Sequence, residues 1–352
     1  MTIPLDEALK LLADQAGAAD RDSVWPAASW TALREADVLG WCVPEKYGGN
    51  ARSPADILAG NAKLAAACMT TCFILSQREA AVRRILASNN EELCERLLPA
   101  LARGETFATV GLSQLTTSRQ YGKAALVARE EKAVVVLDGT IPWVTGAAQA
   151  DHLIIGAVLE DDRQILAALP GKQPGVSVQP ALELMALQGS LTAQIKLSGV
   201  VLPREWVLAG PADKVLTAGK AGTGGLETSC LALGLARGAI DFLKQEAGQR
   251  SEFQFVADRL DKAQEVALAE LLELAEKGGT PEAALALRAR ANALVLRATQ
   301  SALTASKGTG FLRNHPAQRW ARQALFFLVW SCPRPAVEAT LEYLAGPQAC
   351  DL

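Results

Sequence analysis

The hydrophobic period of this chain changes twice, and that change constrains its fold more than any other feature. Up to about residue 103 the pattern is helical. Ala32–Val38 is amphipathic, and the Pro and Gly-Gly of Val43–Gly49 then force an irregular loop. Ser53-Pro54-Ala55-Asp56 opens a helix: Ser53 accepts free backbone N–H groups, Pro54 suits the first turn, and Asp56 complements the positive helix end. A further helix is expected through Asn90–Ala102, ending near Gly104. From about 105 to 208 the period shortens. Ala124–Ala128, Ala133–Asp138, His152–Val158, Gln164–Leu169, Val176–Gln179 and Gln194–Leu197 are short β-branched or alternating runs between turn signals. From about 211 the helical period returns, in Leu226–Gln249 and Phe253–Lys277. A third helix starts at Thr280-Pro281 and a fourth at Pro316, with a break expected at Pro333 and Pro335.

The expected fold is therefore α+β in three parts: an all-α domain over residues 1–104, an antiparallel β-domain over 105–210, and a helical bundle of four helices over 211–352. The 352 residues, 50% of them hydrophobic, are enough for two or three cores. With a net charge of −3 and no basic run, a nucleic-acid partner is not expected. No apolar run approaches the length of a membrane span, and the N-terminus lacks the layout of a signal peptide. The seven cysteines, Cys42, Cys68, Cys72, Cys94, Cys230, Cys332 and Cys350, fit neither a disulfide framework nor a zinc pattern and read as small buried hydrophobes. A reduced, cytoplasmic setting is the default. His152 and His315 are the only histidines and are far apart, which argues against a histidine-rich metal site; no metal is expected.

Five segments then occur in a telling order. Leu33–Gly49 (LREADVLGWCVPEKYGG) ends in V-P-E-K-Y-G-G. Ile141–Gly146 (IPWVTG) precedes Ala150-Asp151. Leu187–Thr192 (LQGSLT) leads into Ile195–Pro203. Gly234–Ala239 (GLARGA) lies in a long helix, with Arg250 past its end. Gly308-Thr309-Gly310-Phe311 is followed by Pro316 and Arg322. Together these resemble the acyl-CoA dehydrogenase superfamily over roughly residues 30–333. The resemblance implies helices, then a β-domain, then a bundle, with FAD between the last two and a homo-oligomer, dimer or tetramer, as the working form.

Site residues follow from the same resemblance. Trp143 and Thr145 match the Trp that lies near the flavin ring and the Thr that hydrogen-bonds it. An indole offers a flat polarisable face and a hydroxyl can donate or accept at a ring heteroatom. The alternative is an ordinary strand with a half-buried Trp. Leu112-Ser113 stands in the family's L-T-E-P-x-x-G-S-D segment, and Ser113 keeps the flavin-binding hydroxyl, whereas Ser118-Arg119 does not preserve the Gly-Ser-Asp end. Arg250 matches an arginine that reaches the FAD diphosphate of a neighbouring subunit; it also reads as a plain helix-end cation. Thr304 replaces a flavin-site Gln, and Gly308 and Gly310 survive from the family's glycine-rich turn. Gly222-Thr223-Gly224-Gly225 reads as a loop before a helix and not as a dinucleotide fingerprint.

The family's reaction needs a carboxylate near the substrate α-carbon. The usual glutamate of its Y-E-G-T motif aligns with Ser331, in Trp330-Ser331-Cys332-Pro333. A serine is no base without a proton-accepting partner, and Cys332 reads as structural. In isovaleryl-CoA dehydrogenase-like members the carboxylate comes from the long bundle helix, at a position aligning with Gly224. Glu227 lies one turn on. It is either the relocated base or a first-turn carboxylate favoured by the helix dipole. Three functions stay open: a flavin-dependent acyl-CoA dehydrogenase acting on CH–CH bonds of an acyl thioester, with an electron-transfer partner; a flavin monooxygenase or oxidase of the same fold, using oxygen; and a non-catalytic paralogue that binds acyl-CoA or a protein.

Overall fold

The computed structural model describes residues 2–88, 90–115, 124–216, 225–332 and 334–345. Five helices come first: α1 (Leu5–Arg21), α2 (Ala27–Glu35), α3 (Pro54–Ala67), α4 (Met69–Ala87) and α5 (Glu91–Ala102). The start of α3 follows its sequence logic, since the Ser53 hydroxyl accepts from the Asp56 N–H at 3.1 Å. Asn90 caps α5 in the same way, accepting from Leu93 N–H at 3.1 Å. Most of α4 is buried, which makes its Arg78, Glu79 and Arg84 conspicuous.

Among the described residues eight strands follow: β1 (Ala108–Gly111), β2 (Leu126–Glu131), β3 (Val134–Val144), β4 (His152–Leu159), β5 (Gln164–Pro170), β6 (Val176–Ala181), β7 (Ala193–Pro203) and β8 (Val207–Ala212). They form one sheet in the order β6-β7-β3-β2-β4-β5-β8, with β1 also on β4. The sheet is mixed, which corrects the expectation of a wholly antiparallel domain: β1 and β2 both run parallel to β4, one after the other along it. Strand period reports which side chains face the core, but the direction of a neighbour is decided by where the connecting chain enters. The β1 segment, four residues long, was not legible as a strand.

The closing helices are α6 (Leu226–Ala247), α7 (Gln254–Lys277), α8 (Pro281–Ala305), α9 (Pro316–Phe326) and α10 (Arg334–Ala345). Thr280 caps α8, accepting from Ala283 N–H at 3.2 Å, and Pro281 takes the first turn as expected. The break after α9 falls at Phe326, before Pro333. Tight turns close there, from Leu328 N–H to Leu325 O and from Val329 N–H to Phe326 O. The buried Arg288 of α8 captures the carbonyls of Phe327 (3.3 Å) and Trp330 (3.0 Å). A side chain from another helix, not a proline, ends this one.

One apolar core joins the first helices to α6–α9, a second fills the inside of the sheet, and a third lies between α4, α5 and the sheet. The sheet is thus clamped to the helices on the side that carries α4.

Candidate functional site

The segment Trp143–Thr145 is built by the end of β3. Gly146, with φ +64°, turns the chain out of the strand; a Cβ there would come within 2.8 Å of the Phe107 ring and 3.1 Å of Trp25. Its N–H donates to Ser190 O at 2.8 Å, which ties the segment to the turn before β7. That turn is fixed in its own right by Gly189, where a Cβ would meet Ala19 O of α1 at 2.5 Å. Three hydroxyls then stand in a row: Thr145 Oγ1 lies 3.4 Å from Thr192 Oγ1, which lies 2.9 Å from Ser190 Oγ. Thr145 is 5% exposed, yet Trp143, two residues earlier, is 52% exposed. Beside a buried hydroxyl ladder, this indole is an apolar plane left half open among the described residues.

Leu112 and Ser113 come to the same end of the sheet. They directly follow β1, and Ser113 opens a 3₁₀ turn. Gly111 just before them sits against β3, where a Cβ would lie 3.2 Å from Val144 Cγ2. Leu112 is buried and Ser113 half-buried. Ser118 and Arg119 fall outside the described residues, as do Gly222–Gly224 and Pro333.

Arg250, Thr304 and Gly308 form a second group, at one end of the closing helices. The Arg250 guanidinium pairs with Glu246, donates to Ala305 O at 2.9 Å, and lies over the Phe253 ring at 4.4 Å. Thr304 and Gly308 are exposed close by in sequence, and open space surrounds Gly308. These contacts fit the helix-end reading of Arg250. To hold a diphosphate it would have to exchange Glu246 for the ligand.

Glu227 forms a third group. In the first turn of α6 its carboxylate lies 3.2 Å from Arg83 of α4, and both side chains are about one-third exposed (34% and 29%). Arg83 also lies 3.6 Å from the buried Glu79, which accepts from Asn61 Nδ2 of α3 at 2.9 Å. Burial pushes the Glu79 carboxyl up from its ordinary range, against the pull of Arg83 and Asn61. Sequence reasoning found Glu227 but missed Arg83, Glu79 and Asn61. The available signal was a Glu and an Arg four residues apart in one helical run.

Ser331 has φ +46° and follows Trp330, which stacks on Phe326 at 5.2 Å and meets Phe73 edge-on at 5.1 Å. Burial pushes the Cys332 thiol up, which suits its structural reading. Two cavities lie apart from these groups: one of about 20 Å³ beside Arg84 and one of about 270 Å³ beside Glu130 and Arg204, neither lined by Trp143 or Thr145.

A family model described as "Acyl-CoA dehydrogenase, N-terminal domain" matches residues 6–105. A probable acyl-CoA dehydrogenase of Bacillus subtilis is 27% identical over 341 residues, covering 91% of this chain and 90% of the relative. The structure of butyryl-CoA dehydrogenase from Megasphaera elsdenii superposes with a TM-score of 0.82 at 19% identity, covering 98% of each chain. In its N-terminal sequence and in its fold the chain is similar to the acyl-CoA dehydrogenase superfamily. A glutaryl-CoA dehydrogenase from Mycobacterium smegmatis, solved in complex with FADH2, superposes with a TM-score of 0.83 at 18% identity, covering 97% of this chain and 94% of that one.

Within an acyl-CoA dehydrogenase fold the open indole of Trp143, the hydroxyl row beside it and the half-buried Ser113 fit the ring end of a flavin. The diphosphate end fits less directly, because Arg250 is already paired.

Proposed function

We propose that this protein is an FAD-dependent oxidoreductase acting on the CH–CH bond of an acyl thioester. The observation that supports it is Trp143, half exposed on a strand end held rigid by Gly146 and flanked by the buried Thr145. Leu112 and Ser113 would complete the ring end. Arg250, Thr304 and Gly308 would serve the diphosphate end, contributed to the site of a second copy in a homodimer or homotetramer. FAD, when bound, supplies a two-electron acceptor for the hydride leaving the substrate β-carbon.

The chain's own residues do the remaining work. Glu227 takes the proton from the α-carbon, and Arg83 and Gly225 set its position: the arginine holds one carboxylate oxygen, and Gly225 leaves room for the other, which would lie 2.9 Å from a Cβ. Substrate binding must displace or share the Arg83 contact before that proton can be taken. The final electron acceptor would be an electron-transfer flavoprotein or oxygen.

The ultraviolet–visible spectrum of the purified protein tests the cofactor, with flavin absorbance expected. Anaerobic addition of a short acyl-CoA is expected to bleach it. Glu227→Gln should slow that bleaching by at least about a hundredfold, the usual scale for a lost general base. Bleaching at the parent rate would remove Glu227 from the role.

A second reading, a monooxygenase or oxidase of the same fold, is favoured by one feature: a serine at the family's usual base position and a remaining candidate carboxylate already held by an arginine. It predicts no bleaching by acyl-CoA, together with oxygen uptake when reduced flavin is supplied.

A further inference from the structure

Two carboxylates are buried among the described residues, Asp20 and Glu79. Asp20 is well partnered: Leu187 N–H, Gln323 Nε2 and Arg322 Nη2 reach it at 2.9, 2.8 and 2.7 Å. Glu79 is only partly met. Its Oε2 accepts from Asn61 Nδ2 at 2.9 Å, and its Oε1 has no partner. A buried carboxylate with a spare acceptor costs stability unless a donor or a counter-charge answers it.

The counter-charge is Arg83, four residues on along α4 and on the same face. Its Nη1 lies 3.6 Å from Glu79 Oε2, and its Nη2 lies 3.2 Å from Glu227 Oε1. A guanidinium closed on a carboxylate sits at about 2.7–2.9 Å. Arg83 therefore spans two acids and is closed on neither. One acid is at the partly open end of this chain, with the Glu227 side chain 34% exposed. The other is at its buried end, with the Glu79 side chain 1% exposed.

The remaining groups that face Glu79 do not compete with Arg83. Arg78 acts on it from α4 but commits its Nη2 to Leu39 O and Leu101 O, at 2.7 and 2.6 Å. Cys42, Cys72 and Cys230 are thiols that burial keeps neutral. Asn61 supplies a hydrogen bond and no charge.

We propose that Glu79 is a positioning residue for Glu227: it draws Arg83 away when substrate arrives and so frees Glu227 to take the α-proton. This rests on Glu227 as the base. Before substrate binds, Arg83 is shared and Glu227 is held. In the working state the guanidinium closes on Glu79, which has Oε1 left to accept from it. Glu79 itself takes no proton from substrate; that proton goes to Glu227.

The rate of anaerobic flavin bleaching by a short acyl-CoA, followed against pH, tests this. Glu79→Gln keeps an oxygen for Asn61 and loses the charge. Arg83 then stays on Glu227, so the plateau rate should fall about tenfold. The acid limb should move to lower pH, because Glu227 keeps its counter-charge and loses a like charge. The effect should be strongly non-additive with Arg83→Met: the double variant should bleach at the rate of Arg83→Met alone, since without the arginine the buried Glu79 is as neutral as the glutamine. A Glu79→Gln profile that coincides with the parent's, or an equal loss with and without Arg83, overturns the inference. The unaltered protein supplies an arm free of any folding defect. Two carboxylates must be ionised in it, so its acid limb should become second order in protons, and a limb that stays first order refutes the inference. Glu227→Gln separates the two readings. Bleaching at the parent rate in that variant defeats the base assignment, whereas slow bleaching there beside an unchanged Glu79→Gln profile defeats the positioning role alone.

Discussion

Trp143 and His152 are both aromatic groups at strand ends of one sheet, and their surroundings give them opposite characters. Trp143 is left open, so its removal should cost ligand more than fold. Trp143→Ala is expected to weaken flavin retention about tenfold, from the loss of one stacking face, with little change in melting temperature. Dialysis against free flavin and the absorbance of the retained fraction measure this. His152 is largely buried, stacked on Trp206 at 5.9 Å, with Nδ1 unpaired. Burial lowers its pKa, against the pull of Asp151. A base whose folded pKa is depressed contributes stability that is present above its unfolded value, about 6.5, and is lost as pH falls towards the folded value. In that window the unfolded chain binds the proton and the folded chain does not. Melting temperature should therefore fall on acidification below about 6.5 in the parent, and fall less steeply in His152→Gln.

At the scale of elements, α8 carries two side chains with different tasks. Thr280 fixes its start, and Thr280→Ala should cost about 1 kcal/mol, read as a shift in the urea midpoint without a change in slope. Arg288 works nearer the start than the end of α8, but its target is elsewhere: it gathers Asn292 at 2.9 Å and the carbonyls of Phe327 and Trp330. Arg288→Met removes the donor to Asn292 Oδ1 and Trp330 O, while Phe327 O keeps Asn292 Nδ2 at 3.3 Å, so a loss of about 1–3 kcal/mol is expected in the same experiment. Because Arg288 shapes the turn that carries Trp330 and Ser331, the near-ultraviolet tryptophan signal should change as well.

At the scale of the molecule, Asp20 joins the beginning of the chain to its middle and its end. Its Oδ1 accepts from Leu187 N–H at 2.9 Å and from Gln323 Nε2 at 2.8 Å, and its Oδ2 pairs with Arg322 at 2.7 Å. Arg322 also donates to Met185 O at 2.6 Å. One buried carboxylate thus fixes α1, the loop before β7 and α9 together. Asp20→Ala strands an arginine and two donors, and a loss of about 3–5 kcal/mol is expected. Amide exchange should accelerate together in α1, around residues 184–190 and in α9. Acceleration in α1 alone would mean that the contact does not join the three.

Much of the architecture was legible because it is periodic. The helix starts at Ser53-Pro54 and Thr280-Pro281 are local events, decided by a hydroxyl and a proline within four residues, and the β-branched runs over 105–208 needed only alternation to be read as strands. Ordered motifs brought Trp143, Thr145 and Glu227 into view for the same reason: each is a short string. What the string does not contain is who faces whom across long separations. Strand direction around β4, the capture of the α9 end by Arg288, the pairing of Glu227 with Arg83 across 144 positions of chain and the spare acceptor of the buried Glu79 all depend on packing. Burial decides which charges must find partners, and burial is a property of the folded chain alone.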